Sequence, residues 1–166
     1  MRIAYLLGFI ICAGLLGFAY YAQHVMFLDP CPLCIFQRIA FFGMALFFLI
    51  GGIHNPQAWG RYVYPGLVSV FGIFGAAIAG RHIWLQSLPA DQVPDCGPGL
   101  GYMLETLPLQ SVLEKVLTGS GECAEVSWSF LGLSMPWWTL IWYVALTLGA
   151  LVFARRASQR RIFLDG

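Results

Sequence analysis

The chain has 166 residues, 59% of them hydrophobic and 10% charged, with a net charge of +1 at pH 7. Soluble domains carry about 25% charged residues, so a mean hydropathy of +0.74 excludes an ordinary water-soluble fold and makes the lipid bilayer the solvent. Near-neutral charge, with no basic patch outside the C-terminal tail, leaves nucleic acid without a binding surface.

Residues 3–28 contain no Asp, Glu, Lys or Arg, more than the roughly 20 apolar residues that cross a bilayer as a helix. A first span is expected at 3–22. It is expected to stay uncleaved, because a signal peptide has an apolar core of only about 7–15 residues and Ala19-Tyr20-Tyr21-Ala22 is a poor cleavage site. Cys12, near the middle of this span, reads as a buried structural thiol. Residues 23–32 are a short connection carrying Asp29, and a second span is expected at 33–53. In the polar turn at 54–61, Asn55-Pro56 and Gly60 are chain breakers. The third span, 62–80, holds Gly66, Gly72, Gly75, Ala76, Ala77 and Ala79, small residues that let helices approach closely.

Residues 81–136 are the only long hydrophilic region and hold six of the eight acidic residues. Pro89, Pro94 and Pro98 argue for irregular chain there. Leu109, Val112, Leu113, Val116 and Leu117 nevertheless share one face of an expected amphipathic helix between Pro108 and Gly119, which would lie on the membrane surface. Trp128, Phe130, Leu131, Met135, Trp137 and Trp138 then resemble an interfacial aromatic belt leading into a fourth span at 137–154. The expected fold is all-α, a single integral membrane four-helix bundle over residues 1–166 with one long outer loop.

Orientation follows from the charges. With both termini inside, the inner segments hold Arg2, Arg61, Arg155, Arg156, Arg160 and Arg161 against Asp165, while the outer loops hold Arg81 and Lys115 against seven acidic residues. The excess of arginine on one side is the positive-inside pattern, which predicts cytoplasmic termini. Cys31, Cys34, Cys96 and Cys123 then all face the oxidising side, where disulfides persist.

The chemistry centres on Asp29-Pro30-Cys31-Pro32-Leu33-Cys34-Ile35-Phe36-Gln37-Arg38. A Cys-x-x-Cys pair at a helix N-terminus gains thiolate character from the unpaired backbone N–H groups and the dipole. Pro30 and Pro32 suit a first helical turn. Arg38, four residues past Cys34, would stand on the same face within side-chain reach and could stabilise a thiolate. A zinc site would require a second close-spaced pair, and Cys96 and Cys123 are far apart in sequence, so no metal is expected. A purely structural disulfide would close too small a loop to restrict the unfolded chain much. Redox exchange remains the leading reading.

A rigid pair at a helix start and a second pair on a loop suit a relay through mixed disulfides. Net thiol oxidation needs an acceptor for two electrons, and no flavin, nicotinamide, haem or iron–sulfur motif is present. The bilayer itself offers quinone, whose ring a Cys-x-x-Cys at headgroup level could meet, with Arg38 stabilising a developing oxyanion. A non-catalytic four-helix scaffold with a disulfide-stapled outer loop is the alternative. A bundle cytochrome is disfavoured because His24, His54 and His82 lie at span ends on different sides of the membrane.

The sequence resembles the disulfide bond formation protein B family, DsbB, quinone-reducing membrane oxidases that recharge the thioredoxin-like oxidase DsbA. Cys31-Pro32-Leu33-Cys34-Ile35-Phe36-Gln37-Arg38, Arg81-His82-Ile83-Trp84-Leu85-Gln86, Gly121-Glu122-Cys123-Ala124-Glu125 and the stretch from Trp128 to Pro136 carry the likeness. The resemblance implies a bacterial inner-membrane enzyme, a protein-thiol:quinone oxidoreductase using ubiquinone or menaquinone. It implies that Cys34 lies beside the quinone and forms the thiolate–quinone charge-transfer species. Cys31 would pair transiently with Cys123, and Cys96 would form the mixed disulfide with the DsbA-like partner. Arg38 would bind a quinone carbonyl, with His82 near the same site. At Gln37 some relatives carry an acidic residue, which leaves its part open.

Overall fold

A backbone that crosses hydrocarbon must satisfy its own N–H and C=O groups, which is why long apolar stretches become helices there. The computed structural model describes residues 2–56, 60–89, 92–93, 108, 111, 121–126 and 128–162. Its elements in chain order are α1 (Arg2–His24), α2 (Pro32–His54), α3 (Gly60–Gln86), a single 3₁₀ turn (Gly121–Cys123), β1 (Ser129–Phe130), β2 (Leu133–Ser134) and α4 (Met135–Ile162). All four helices are long and apolar enough to cross a membrane, as the sequence led us to expect. Apart from Ser111, the expected amphipathic helix at 109–117 lies outside the described residues, and so does Cys96.

The ends of the helices have local causes. Cys31, with extended backbone at φ −64° and ψ 161°, is the N-cap of α2, and Pro32 begins the helix where its missing N–H breaks no bond. Pro30 therefore precedes the helix rather than joining its first turn. At the other end of α2, Asn55 adopts the left-handed conformation, φ 44°, and its N–H closes onto Gly51 O at 3.0 Å. Pro56 follows and cannot continue the helix.

Two helices outrun the expected spans. α3 continues past residue 80 through Gln86, with Leu85 buried and the Arg81 guanidinium 4.1 Å from the centre of the Trp84 ring. That cation–π contact lets a charged residue remain in the helix wall. α4 likewise runs on to Ile162 rather than ending near 154.

The belt expected between Trp128 and Trp138 contains a short antiparallel hairpin, Ser129 opposite Ser134 and Phe130 opposite Leu133. Its two-residue loop, Leu131-Gly132, has positive φ at both positions, 54° and 79°, which gives the turn the hand that matches strand twist. Alternation over so few residues gives no periodicity to read in the sequence.

Three helix pairs pack along their length, α1 with α2, α2 with α3 and α3 with α4, while α1 and α4 barely touch. Gly72 and Gly75 lie directly against Thr147 and Tyr143 of α4, where a Cβ would collide, whereas Gly66 faces open space. The core between the tight pairs holds Ala40, Phe41, Met44, Phe48, Val68, Ala79 and Tyr143. Phe41 and Tyr143 stack face to face with ring centres 4.1 Å apart.

Candidate functional site

The site lies at the end of the bundle where α2 and α4 begin and α1 and α3 finish. As the N-cap, Cys31 turns its Sγ toward its own helix start and accepts the Cys34 N–H at 3.4 Å. The same turn sets Cys31 Sγ 2.9 Å from Cys34 Sγ, both as free thiols. Cys123 arrives from the 3₁₀ turn, closed by the Ala124 N–H on Gly121 O at 3.0 Å, and is fully buried. It joins Cys31, Leu33, Ile78 and Leu85 in one apolar cluster, with Cys34, Phe36 and Leu88 packed against it.

Hydrogen bonding with the Cys123 and Cys34 thiols, followed by burial, pushes the Cys31 thiol above its ordinary range. That environment disfavours the thiolate form of Cys31.

His82 is 4% exposed and lies inside the bundle. The continuation of α3 past residue 80 is what carries it there. Its Nε2 is 3.9 Å from Cys31 Sγ. The sulfurs of Cys31 and Cys123 and a His82 ring nitrogen all lie within 4.8 Å of one another. Sequence spacing alone did not show this convergence of donors, because Cys123 and His82 come from separate elements. A thiophilic ion could use such a set, and the same closeness is what thiol–disulfide exchange between Cys31 and Cys123 requires.

Arg38 lies one turn below Cys34, as expected, and reaches toward α1. Nη1 donates to Gln23 Oε1, Nη2 donates to Ala19 O at 3.1 Å, and the guanidinium carbon is 5.3 Å from the centre of the Tyr20 ring. Because α1 and α4 stand apart, these groups border a cavity of about 670 Å³. Leu15, Leu16, Phe41 and Trp142 supply apolar walls, and Cys34, Gln37, Arg38 and His82 supply polar groups at one end. Its volume is that of a small-molecule pocket. An occupant with an apolar body and a hydrogen-bond acceptor at its head fits this lining.

The cavity is bridged by aromatic contacts that tie α1 to α4 through the hairpin. Phe18 packs on Trp128, Trp128 stacks on Phe130, and Phe130 packs on Trp138, with ring centres 5.5, 6.0 and 6.0 Å apart. Trp138 Nε1 donates to Phe130 O at 3.2 Å, and Ser134 Oγ donates to Gln86 Oε1 at 2.6 Å, which anchors the hairpin to α3.

The sequence reading left the part of Gln37 open and did not single out Thr139 or Gln23. Gln37 is 4% exposed and meets both His82 and Thr139, and Gln23 holds Arg38. A polar side chain inside an apolar span is itself a functional signal. That signal could have found Gln37 and Thr139, though not that they touch.

The chain is similar to known proteins over most of its length. The family model described as Disulfide bond formation protein DsbB matches residues 1–153. A Disulfide bond formation protein B of Hahella chejuensis is 55% identical over 156 residues, covering 93% of this chain and 94% of the relative. One of Nitrosococcus oceani is 53% identical over 146 residues, 88% and 86% of the two chains, and one of Marinobacter nauticus is 52% identical over 155 residues, 93% and 92%.

Proposed function

Since this chain belongs to the DsbB family of membrane proteins that form disulfide bonds, we propose that it reoxidises a periplasmic DsbA-like dithiol oxidase and passes the two electrons to a membrane quinone. The observation that carries this reading is the meeting of three sulfurs, those of Cys31, Cys34 and Cys123, beside a largely apolar cavity whose polar end holds Arg38. A scaffold stapled by disulfides has no use for such a cavity.

The relay balances as follows. The partner's dithiol is oxidised as a Cys96–Cys123 disulfide is reduced, through a mixed disulfide at Cys96. The resulting Cys123 thiol lies within reach of Cys31 and attacks the Cys31–Cys34 disulfide, releasing Cys34 as the thiolate. Cys96 then attacks the Cys31–Cys123 bond, restoring the loop disulfide and leaving Cys31 and Cys34 reduced. Quinone, when bound, supplies the acceptor of two electrons and two protons. Cys34, lining the cavity, would face its ring, and Arg38 would hold an oxygen that gains negative charge. Its contacts with Gln23 and Ala19 pre-orient the guanidinium, so little reorganisation is needed. The bacterial inner membrane with cytoplasmic termini is the location this function and the arginine distribution support.

The test is quinone reduction by purified detergent-solubilised protein supplied with a reduced DsbA-like oxidase. Cys34→Ser and Cys96→Ser should each bring turnover to background. Undiminished turnover in Cys34→Ser would sink the proposal.

A further inference from the structure

Gln37 makes no bond to a sulfur in the contacts described above, yet it is 4% exposed in the middle of the site. A buried amide must place both of its ends. Its Oε1 accepts the Thr139 hydroxyl at 2.8 Å, and its Nε2 faces His82 Nδ1 at 3.3 Å. Tyr143 donates to the backbone carbonyl of the same residue at 2.6 Å, which holds this turn of α2 against α4. The one Thr139 hydroxyl proton has a second acceptor in reach, Pro136 O at 2.9 Å; with that proton on Gln37 Oε1, the end of the amide that meets the ring is an NH₂ group, which can only donate. Nδ1 must then be the bare nitrogen. The proton of the neutral ring sits on Nε2, the nitrogen 3.9 Å from Cys31 Sγ.

We propose that Gln37, held by Thr139, is a positioning residue that fixes His82 as the Nε2–H tautomer, so that the ring presents a donor and not a lone pair to the cysteine sulfurs. The sulfurs facing the ring are those of Cys31, Cys34 and Cys123. Against them the two tautomers act oppositely. A bare Nε2 would pull the proton from a thiol, whereas an Nε2–H stabilises a thiolate by hydrogen bonding and carries no charge into the apolar interior. For the reaction, and resting on the quinone-coupled reading above, this makes the neutral His82 ring a hydrogen-bond donor to whichever sulfur becomes anionic during exchange. It is not a base.

The experiment is nitrogen-15 NMR of the reduced full-length protein in detergent micelles, labelled at histidine, at mildly alkaline pH. His82→Asn identifies the His82 signals among the three histidines. Wild-type protein should show His82 Nδ1 in the unprotonated range and Nε2 in the protonated range. Gln37→Glu, whose carboxylate can only accept, should move Nδ1 into the protonated range. Thr139→Val and Gln37→Leu should give mixed tautomers. A wild-type ring protonated at Nδ1 would overturn the proposal, and so would a ring unaltered in Gln37→Leu. The wild-type spectrum decides the first point even if a variant fails to fold. It also needs no quinone or partner, so loss of the quinone-coupled reading would appear separately, as absent quinone reduction with the tautomer unchanged.

Discussion

The two flanks of α4 are built differently, and the contrast explains where the chemistry is. Against α3, glycines at 72 and 75 let Thr147 and Tyr143 sit directly on the neighbouring backbone. Against α1 the helices part, leaving the cavity. In a bilayer, helix association draws on close packing and interhelical hydrogen bonds more than on hydrophobicity. The tight flank therefore supplies stability and fixes Gln37, His82 and Thr139 in relation to the sulfurs. The loose flank is left free to admit a ligand. Stability and access are thus divided between opposite sides of one helix.

Substitutions that trade the character of the two flanks test this division. The largest effect is expected from Gly75→Leu, which forces a side chain into the Tyr143 ring. Overpacking costs about 1–3 kcal/mol and sometimes more, so thermal unfolding in detergent should shift sharply downward, with activity lost alongside. A melting curve like the wild type's would mean that the α3–α4 contact is not the stabilising one. Leu16→Trp, on the open flank, fills cavity volume without touching that contact. It should leave the melting temperature near that of the wild type and raise KM for quinone about tenfold, roughly 1.4 kcal/mol of binding. An unchanged KM would place the ligand elsewhere.

The smallest effect is expected in the hairpin that ties the two flanks together. Leu131 holds φ 54° with 78% of its surface exposed, a conformation that Asn tolerates better than Leu. Leu131→Asn should stabilise the protein by about 1 kcal/mol, read as a small rise in melting temperature with unaltered turnover. A drop would show that the leucine is worth more as an anchor in the interface than its backbone strain costs.

Parts of the design were legible in the order of residues. Uninterrupted apolar runs dictated four helices because hydrocarbon admits few alternatives. Cys31-Pro32 announced a helix start because the missing proline N–H breaks no bond in the first turn. Arg38 fell below Cys34 because residues four apart share a helix face. These are local consequences of short-range sterics, hydrogen bonding and solvent, and the sequence by itself determined them.

Other parts needed the folded chain. His82 read from the sequence as a residue at a span end, and its burial beside the cysteines appears only because α3 continues past residue 80. Cys123 is far from Cys31 along the chain and beside it in space. The bond from Thr139 to Gln37 joins helices whose polar residues give no hint of their partner, and the gap between α1 and α4 has no signature in either helix. The physical reason is common to all four. Each depends on how helices rotate and slide against one another, and that is set by the sum of many packing contacts across the bundle.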